Sequence, residues 1–144
     1  MTVVVDASVA LKWVFQEEWT PNALALWDAW QQAGERLIAP TVFRAEVSNV
    51  AYKRVRRKEI TLLDAVEAAD TLLGIVAAEE PDGLYRRALD LAASYSLDAV
   101  HDSLYLALAD LHGCALWTAD RRFVKAVQPY RASVHWIGEA RLAA

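Results

Sequence analysis

The short run Thr2-Val3-Val4-Val5, closed by Asp6, limits the fold of this chain more than any other stretch. It is continuously apolar and β-branched rather than alternating, the pattern of a strand covered on both faces within a parallel sheet. Parallel neighbours require long crossover connections, usually helices, and the sequence supplies them in alternation with further short strands. Residues 9–15 suit a helix, and Thr20 followed by Pro21 supplies an N-cap and a first-turn proline for a second helix over 21–33. Arg36-Leu37-Ile38-Ala39-Pro40 reads as the next strand and 42–57 as a long helix.

Thr61-Leu62-Leu63-Asp64 has capping-box spacing and opens a helix expected to run to Glu79-Glu80, just before Pro81. A helix over 83–95 follows, and Ser96-Leu97-Asp98-Ala99 reads as a brief extended piece, a third short strand. Helical apolar spacing resumes from His101 to His112, with Gly113 as its stop. Cys114 to Thr118 reads as a strand, Asp120 to Val127 as a helix ended by Pro129, and Ser133 to Trp136 as the last strand. This alternation places the chain in the α/β class with a parallel sheet.

With 144 residues, 56% of them hydrophobic and 24% charged, the chain is expected to bury a core as one domain spanning 1–144. No repeat, low-complexity tract or Gly/Ser-rich linker divides it. The lone Cys114 excludes an internal disulfide, no leader-like segment precedes Val3, and no apolar run reaches the roughly 18 residues of a membrane span. A cytoplasmic protein without a membrane partner is expected. A net charge of −4 argues against a general nucleic-acid coat protein, although cations bound by acidic side chains would offset it and local basic patches could still guide a polyanion.

The acids carry the chemical signal. Asp6 and Asp120 each follow a strand, and Asp102 begins a helix after the extended piece, so all three should emerge at the carboxyl edge of the sheet, where open α/β folds bind ligands. Glu46 lies within the first two turns of the helix after the second strand, close enough to join them. Singly, each has a bland explanation: a helix cap or first-turn residue for the three aspartates, a solvated helix face for Glu46. Jointly, carboxylates sharing a pocket repel one another unless protonated or neutralised by a cation. An oxygen-only donor set selects Mg²⁺ or Mn²⁺ over zinc. Such ions polarise a phosphodiester and activate a bound water, so no Ser, Cys or His nucleophile is needed.

Four segments, Val4-Val5-Asp6-Ala7-Ser8-Val9, Pro40-Thr41-Val42-Phe43-Arg44-Ala45-Glu46, Asp102-Ser103-Leu104-Tyr105-Leu106-Ala107-Leu108-Ala109 and Thr118-Ala119-Asp120-Arg121-Arg122-Phe123, resemble the PIN-domain family in order and spacing, and in particular its VapC-type toxins. The resemblance runs from Val3 to about Trp136. It implies a doubly wound, three-layer α/β/α sandwich and a Mg²⁺- or Mn²⁺-dependent endoribonuclease that leaves a 5′-phosphate and a 3′-hydroxyl. It also implies a homodimer and a small cognate antitoxin that blocks the acidic pocket. On this resemblance Asp6 and Asp102 are the principal metal ligands, Glu46 and Asp120 complete the catalytic pocket directly or through water, and Ser8 and Thr118 support them with their hydroxyls. His101, just before Asp102, departs from the family pattern and receives no role.

Two further features have competing readings. The basic run Lys53-Arg54-Val55-Arg56-Arg57-Lys58 could hold RNA phosphates, yet cations at a helix C-terminus also complement the dipole. Arg121 and Arg122, beside Asp120, are better placed to meet a scissile phosphate. Trp13, Trp19, Trp27 and Trp30 crowd the first helical region, either as core or as an apolar groove for an antitoxin helix, while Trp117 and Trp136 are expected in the core. The alternatives to a toxin nuclease are a PIN-fold binding module and a housekeeping RNA-processing nuclease without an antitoxin. A receiver-like phosphoacceptor lacks its paired acids after the first strand and its late partnered lysine.

Overall fold

In a computed structural model, residues 1–142 are described. Residues 143 and 144, included in the expected domain span 1–144, lie outside the described residues. In chain order the elements are β1 (Thr2–Val5), α1 (Ala7–Val14), α2 (Thr20–Ala33), β2 (Arg36–Pro40), α3 (Val42–Arg56), α4 (Leu62–Ile75) and β3 (Ala77–Glu79). They continue with α5 (Leu84–Ser94), α6 (Val100–His112), β4 (Ala115–Thr118), α7 (Arg121–Val127) and β5 (Val134–Trp136). The strands form one sheet in the order β3-β2-β1-β4-β5, every pair parallel. Val3, Val4 and Val5 are all buried, as a strand covered on both faces must be.

The order has a physical consequence. The chain steps outward from β1 through β2 to β3, then crosses back to β4 and outward to β5. Right-handed crossovers on the two sides of β1 put their helices on opposite faces of the sheet, giving the three-layer sandwich. The winding reverses between β1 and β4, so the crevice beyond their carboxyl ends is the topological switch point. Helix α6 packs on β1, β2 and β4 and on α5. Its residues Ser103 to Ala109 are buried without exception, which makes it the most enclosed helix of the fold.

Three sequence expectations are corrected. The fourth helix does not reach Glu79-Glu80: it stops at Ile75, and Ala77–Glu79 form an edge strand. Ala77, Ala78 and Glu79 are good helix formers, but the free edge of β2 pairs them in register with Ile38, Ala39 and Pro40, and tertiary pairing overrides local preference. The second correction concerns residues 96–99, which belong to no strand and form the irregular link between α5 and α6, so β4 is the strand that follows α6. The N-cap expected at Thr20 is likewise displaced. Trp19 takes that position with φ of 69°, while Thr20 sits inside the helix, is buried, and ties Phe15 and Glu17 together through its hydroxyl.

The capping box at Thr61 is realised in both directions, Asp64 N–H to Thr61 Oγ1 at 3.1 Å and Thr61 N–H to Asp64 Oδ2 at 3.0 Å. The six tryptophans line the core rather than an open groove: Trp30 is buried, and the other five are partly buried against the apolar cluster. Trp13 packs on Trp27 and Trp30, and Trp30 meets Trp117 edge-on. Exposed large apolar side chains instead mark α3 and α4, notably Tyr52, Leu62, Leu63 and Val66. Among the described residues no helix is long and apolar enough to cross a membrane.

Candidate active site

The site is built at the switch point, beginning with Asp6. Its backbone N–H continues the sheet by bonding to the Trp117 carbonyl at 3.0 Å, and the chain then turns into α1. Although Asp6 occupies the N-cap position of that helix, its side chain does not cap it. One carboxylate oxygen, Oδ2, instead accepts hydrogen bonds from Ser8 Oγ and from Thr118 Oγ1, the latter at 2.9 Å. The two hydroxyls are themselves held, since Ser8 Oγ accepts the Ala119 N–H at 3.0 Å and Thr118 Oγ1 accepts the Asp120 N–H at 3.1 Å. Strand-end residues of β1 and β4 are thereby tied into one network, and the Ser8 backbone N–H also acts on the Asp6 carboxylate.

The other acids arrive from three different elements. Asp102 lies in the first turn of α6. It reaches the carboxyl edge because α6 crosses the sheet to feed β4, not because a strand precedes it as the sequence suggested. Glu46 projects from α3 and accepts a hydrogen bond from the Tyr105 hydroxyl at 2.6 Å. Asp120 is exposed and caps α7, its Oδ1 accepting the Phe123 N–H at 3.1 Å. The bland reading therefore holds in part for Asp120, which spends one oxygen as a helix cap.

Electrostatics show which acids share a field. Burial pushes the Asp6 carboxyl above its ordinary range, against the lowering effect of Ser8 and Thr118, and Asp120 adds to the rise. Burial also raises Glu46, opposed by the Tyr105 hydrogen bond and reinforced by the charges of Asp6 and Asp102. Asp102 is raised from 3.8 to about 6, first by burial, then by Asp6 and Asp120. Carboxylates that raise one another in this way form a repelling cluster that gains from a cation. Among the described residues, no three Asp, Glu, His or Cys side chains close around a single point as a ready-made metal cage.

A cleft of about 280 Å³ opens beside Asp102 and Asp120, lined also by Leu97, Asp98, Arg122 and Phe123. Arg122 is thus at the mouth of the acidic site. Its neighbour Arg121 stacks over the Trp136 ring, 4.6 Å from the centroid. The basic run is elsewhere. Lys53 and Arg54 lie seven and eight residues beyond Glu46 in α3, roughly 10–12 Å along the helix. Arg54 binds Glu17 at 2.7 Å and Glu59 at 3.3 Å and covers the Phe15 ring, a structural assignment for its charge. His101 is exposed, and its charge lowers the pKa of both Glu46 and Asp102.

Tyr105 is the member of this cluster that reading the sequence passed over. Its signal was a lone polar tip in the otherwise apolar run Leu104 to Ala109, visible only as a partner once Glu46 is placed against it.

The sequence profile of the PIN domain family matches residues 3–128, a span that holds all four acids. The chain belongs to the PIN domain family. Within the PIN family it is similar to VapC ribonuclease Mb0985 of Mycobacterium bovis and to Ribonuclease VapC9 of Mycobacterium tuberculosis. Identity to each is 29% over 121 residues, covering 83% of this chain and 87% of the relative. Its PIN fold is also similar to the crystal structure of PAE2754 from Pyrobaculum aerophilum, with a TM-score of 0.68 at 20% identity over 93% of this chain and 83% of the other.

Proposed function

We propose that this PIN domain, a single unit, is a Mg²⁺- or Mn²⁺-dependent endoribonuclease and the toxin of a toxin-antitoxin pair. The observation that carries the reading is the state of Asp6: a strand-end carboxylate held through Oδ2 by two hydroxyls, raised by burial, in the field of further acids. The donor set fits a hard divalent ion. Mg²⁺ characteristically keeps several waters and binds through one or two carboxylates plus substrate phosphates, so Asp6 and Asp102, the first of which raises the pKa of the second, would suffice without a closed cage of acids. Asp6 and Asp102 would be its principal ligands, with Glu46 and Asp120 completing the shell directly or through water. When bound, the ion supplies charge neutralisation at the phosphodiester and a water acidified for attack.

The chain's own residues account for the rest. Ser8 and Thr118 hold Asp6 through Oδ2 and so fix its rotamer. Arg122, at the mouth of the cleft, would draw the RNA backbone toward the acids and offset the net charge of −4 locally. The phosphate roles considered for Arg121, Lys53 and Arg54 have less support, given the stacking of Arg121, the distance of Lys53 and the ion pairs of Arg54.

The names of the mycobacterial relatives support the ribonuclease and, through the VapC designation, a cognate antitoxin. Exposed apolar side chains on α3 and α4 are consistent with a partner or a second copy of the chain. The test is cleavage of single-stranded RNA by the purified chain, with contaminating nuclease excluded by an Asp6→Asn variant prepared identically. Cleavage that requires Mg²⁺ or Mn²⁺ and is lost in the variant supports the reading. A folded chain without Mn²⁺ affinity would favour the binding-module alternative. Unimpaired growth of cells producing the chain without an antitoxin, despite RNA cleavage in vitro, would favour a housekeeping nuclease.

A further inference from the structure

Tyr105 is 2% exposed, yet its hydroxyl points out of the core to Glu46 Oε1 at 2.6 Å. Packing alone does not require that oxygen, because a phenylalanine would fill the same space among Leu104, Leu106 and the strands beneath. The hydroxyl stands where three elements meet. It belongs to α6, three residues after Asp102; it bonds to α3 through Glu46; and the backbone amide of Ala7, next to Asp6, also acts on it. No other side-chain hydrogen bond to Glu46 occurs among the described residues, so this contact fixes which way its carboxylate turns.

Resting on the metal-dependent reading above, we propose that Tyr105 is a positioning residue: it holds Oε1 of Glu46 and so sets the orientation in which the carboxylate would meet the cation or its water. The placement of Glu46 is thereby tied to that of Asp102, because α6 carries both Asp102 and the Tyr105 that holds Glu46. Burial, and the charges of Asp6 and Glu46, push the phenol well above its ordinary pKa. Glu46 is otherwise a flexible side chain on a helix packed in another layer, and ligands of a metal are placed by the groups that hydrogen-bond them.

The experiment is Mn²⁺ binding to the purified full chain without RNA, read by electron paramagnetic resonance of free Mn²⁺, for the wild type, Tyr105→Phe, Glu46→Gln and the double variant. Loss of such a supporting hydrogen bond weakens metal affinity by about 10-fold or more, which is the expectation for Tyr105→Phe. The double variant should bind no more weakly than Glu46→Gln alone, because the tyrosine acts through Glu46. Wild-type affinity in Tyr105→Phe overturns the proposal, as do effects that simply multiply in the double variant. A Tyr105→Phe chain that loses its helical circular dichroism signal also overturns it, making the hydroxyl a structural bond. If the wild type itself binds no Mn²⁺, the metal-dependent reading fails and Tyr105 has no ion to position. An unaffected Tyr105→Phe beside a binding wild type removes the tyrosine's role alone.

Discussion

As a proposed metal ligand, Asp102 would set folding against function within a single side chain. Its carboxyl titrates at about 6 because burial and the charges of Asp6 and Asp120 disfavour ionisation. A carboxyl whose folded pKa is raised binds a proton more tightly in the folded state than in the unfolded chain, where it titrates near 3.8. Its protonation therefore contributes stability that is fully present below about pH 4 and lost as pH rises through about 6. Thermal unfolding of the metal-free protein should show a falling contribution from this group between pH 4 and 7, and saturating Mn²⁺ should restore stability at pH 7 by binding the ionised form. Asp102→Asn removes the charge and keeps the shape. It should raise the metal-free melting temperature by a few degrees, on the order expected for about 1 kcal/mol in a domain of this size. The same variant should lower RNA cleavage by about 100-fold or more, the loss expected when several kcal/mol of transition-state stabilisation go with a metal ligand. A melting temperature that falls by several degrees in Asp102→Asn would contradict this account of the residue.

At the scale of elements, α3 separates two kinds of charge. Its early turns carry Glu46 toward the acids, and its last turns carry Lys53, Arg54 and Arg56 away from them. Arg54→Ala should cost about 1 kcal/mol of stability, by loss of its pairs with Glu17 and Glu59 and its cover of Phe15. The same change should leave RNA affinity near wild type, whereas Arg122→Ala should raise KM for RNA several-fold with little change in melting temperature. Denaturant unfolding and steady-state kinetics on the two variants separate these outcomes. In α4, Thr61→Ala should cost about 1 kcal/mol through the capping box.

The same scale explains what the sequence revealed. β1 and β4 were legible because apolar runs ending in an acid have few readings, and α4 began where its capping box said. Its end was not legible. Whether Ala77 to Glu79 continue a helix or form a strand depends on the open edge of β2, which is far away in sequence. Asp102 was placed at the correct edge for an incorrect reason, since Ser96 to Ala99 form no strand and α6 itself brings the acid there. The Tyr105 contact joins residues 59 apart, and no local pattern encodes such a pairing.

For the whole molecule, one fact of topology organises the rest. Among the described residues, five parallel strands wound outward in both directions from β1 leave a single reversal of winding, and the acids gather beyond it. That edge draws one carboxylate each from the β1–α1 turn, α3, α6 and the β4–α7 turn, so the site exists only when the sheet has closed in this order. The fold thus concentrates repelling charge at one place in a protein whose formal net charge is −4. Such charge is tolerable in the folded state through protonation or through a bound cation.

Metal dependence of RNA cleavage tests that claim most directly. Purified chain, stripped with EDTA at pH 7.5, is mixed with fluorescently labelled single-stranded RNA, and Mn²⁺ is then added back. The account predicts no cleavage before addition, cleavage that saturates with Mn²⁺, and a loss of about 100-fold or more in an Asp102→Asn variant prepared in parallel. Cleavage at the full rate in EDTA, or undiminished in that variant, would contradict it.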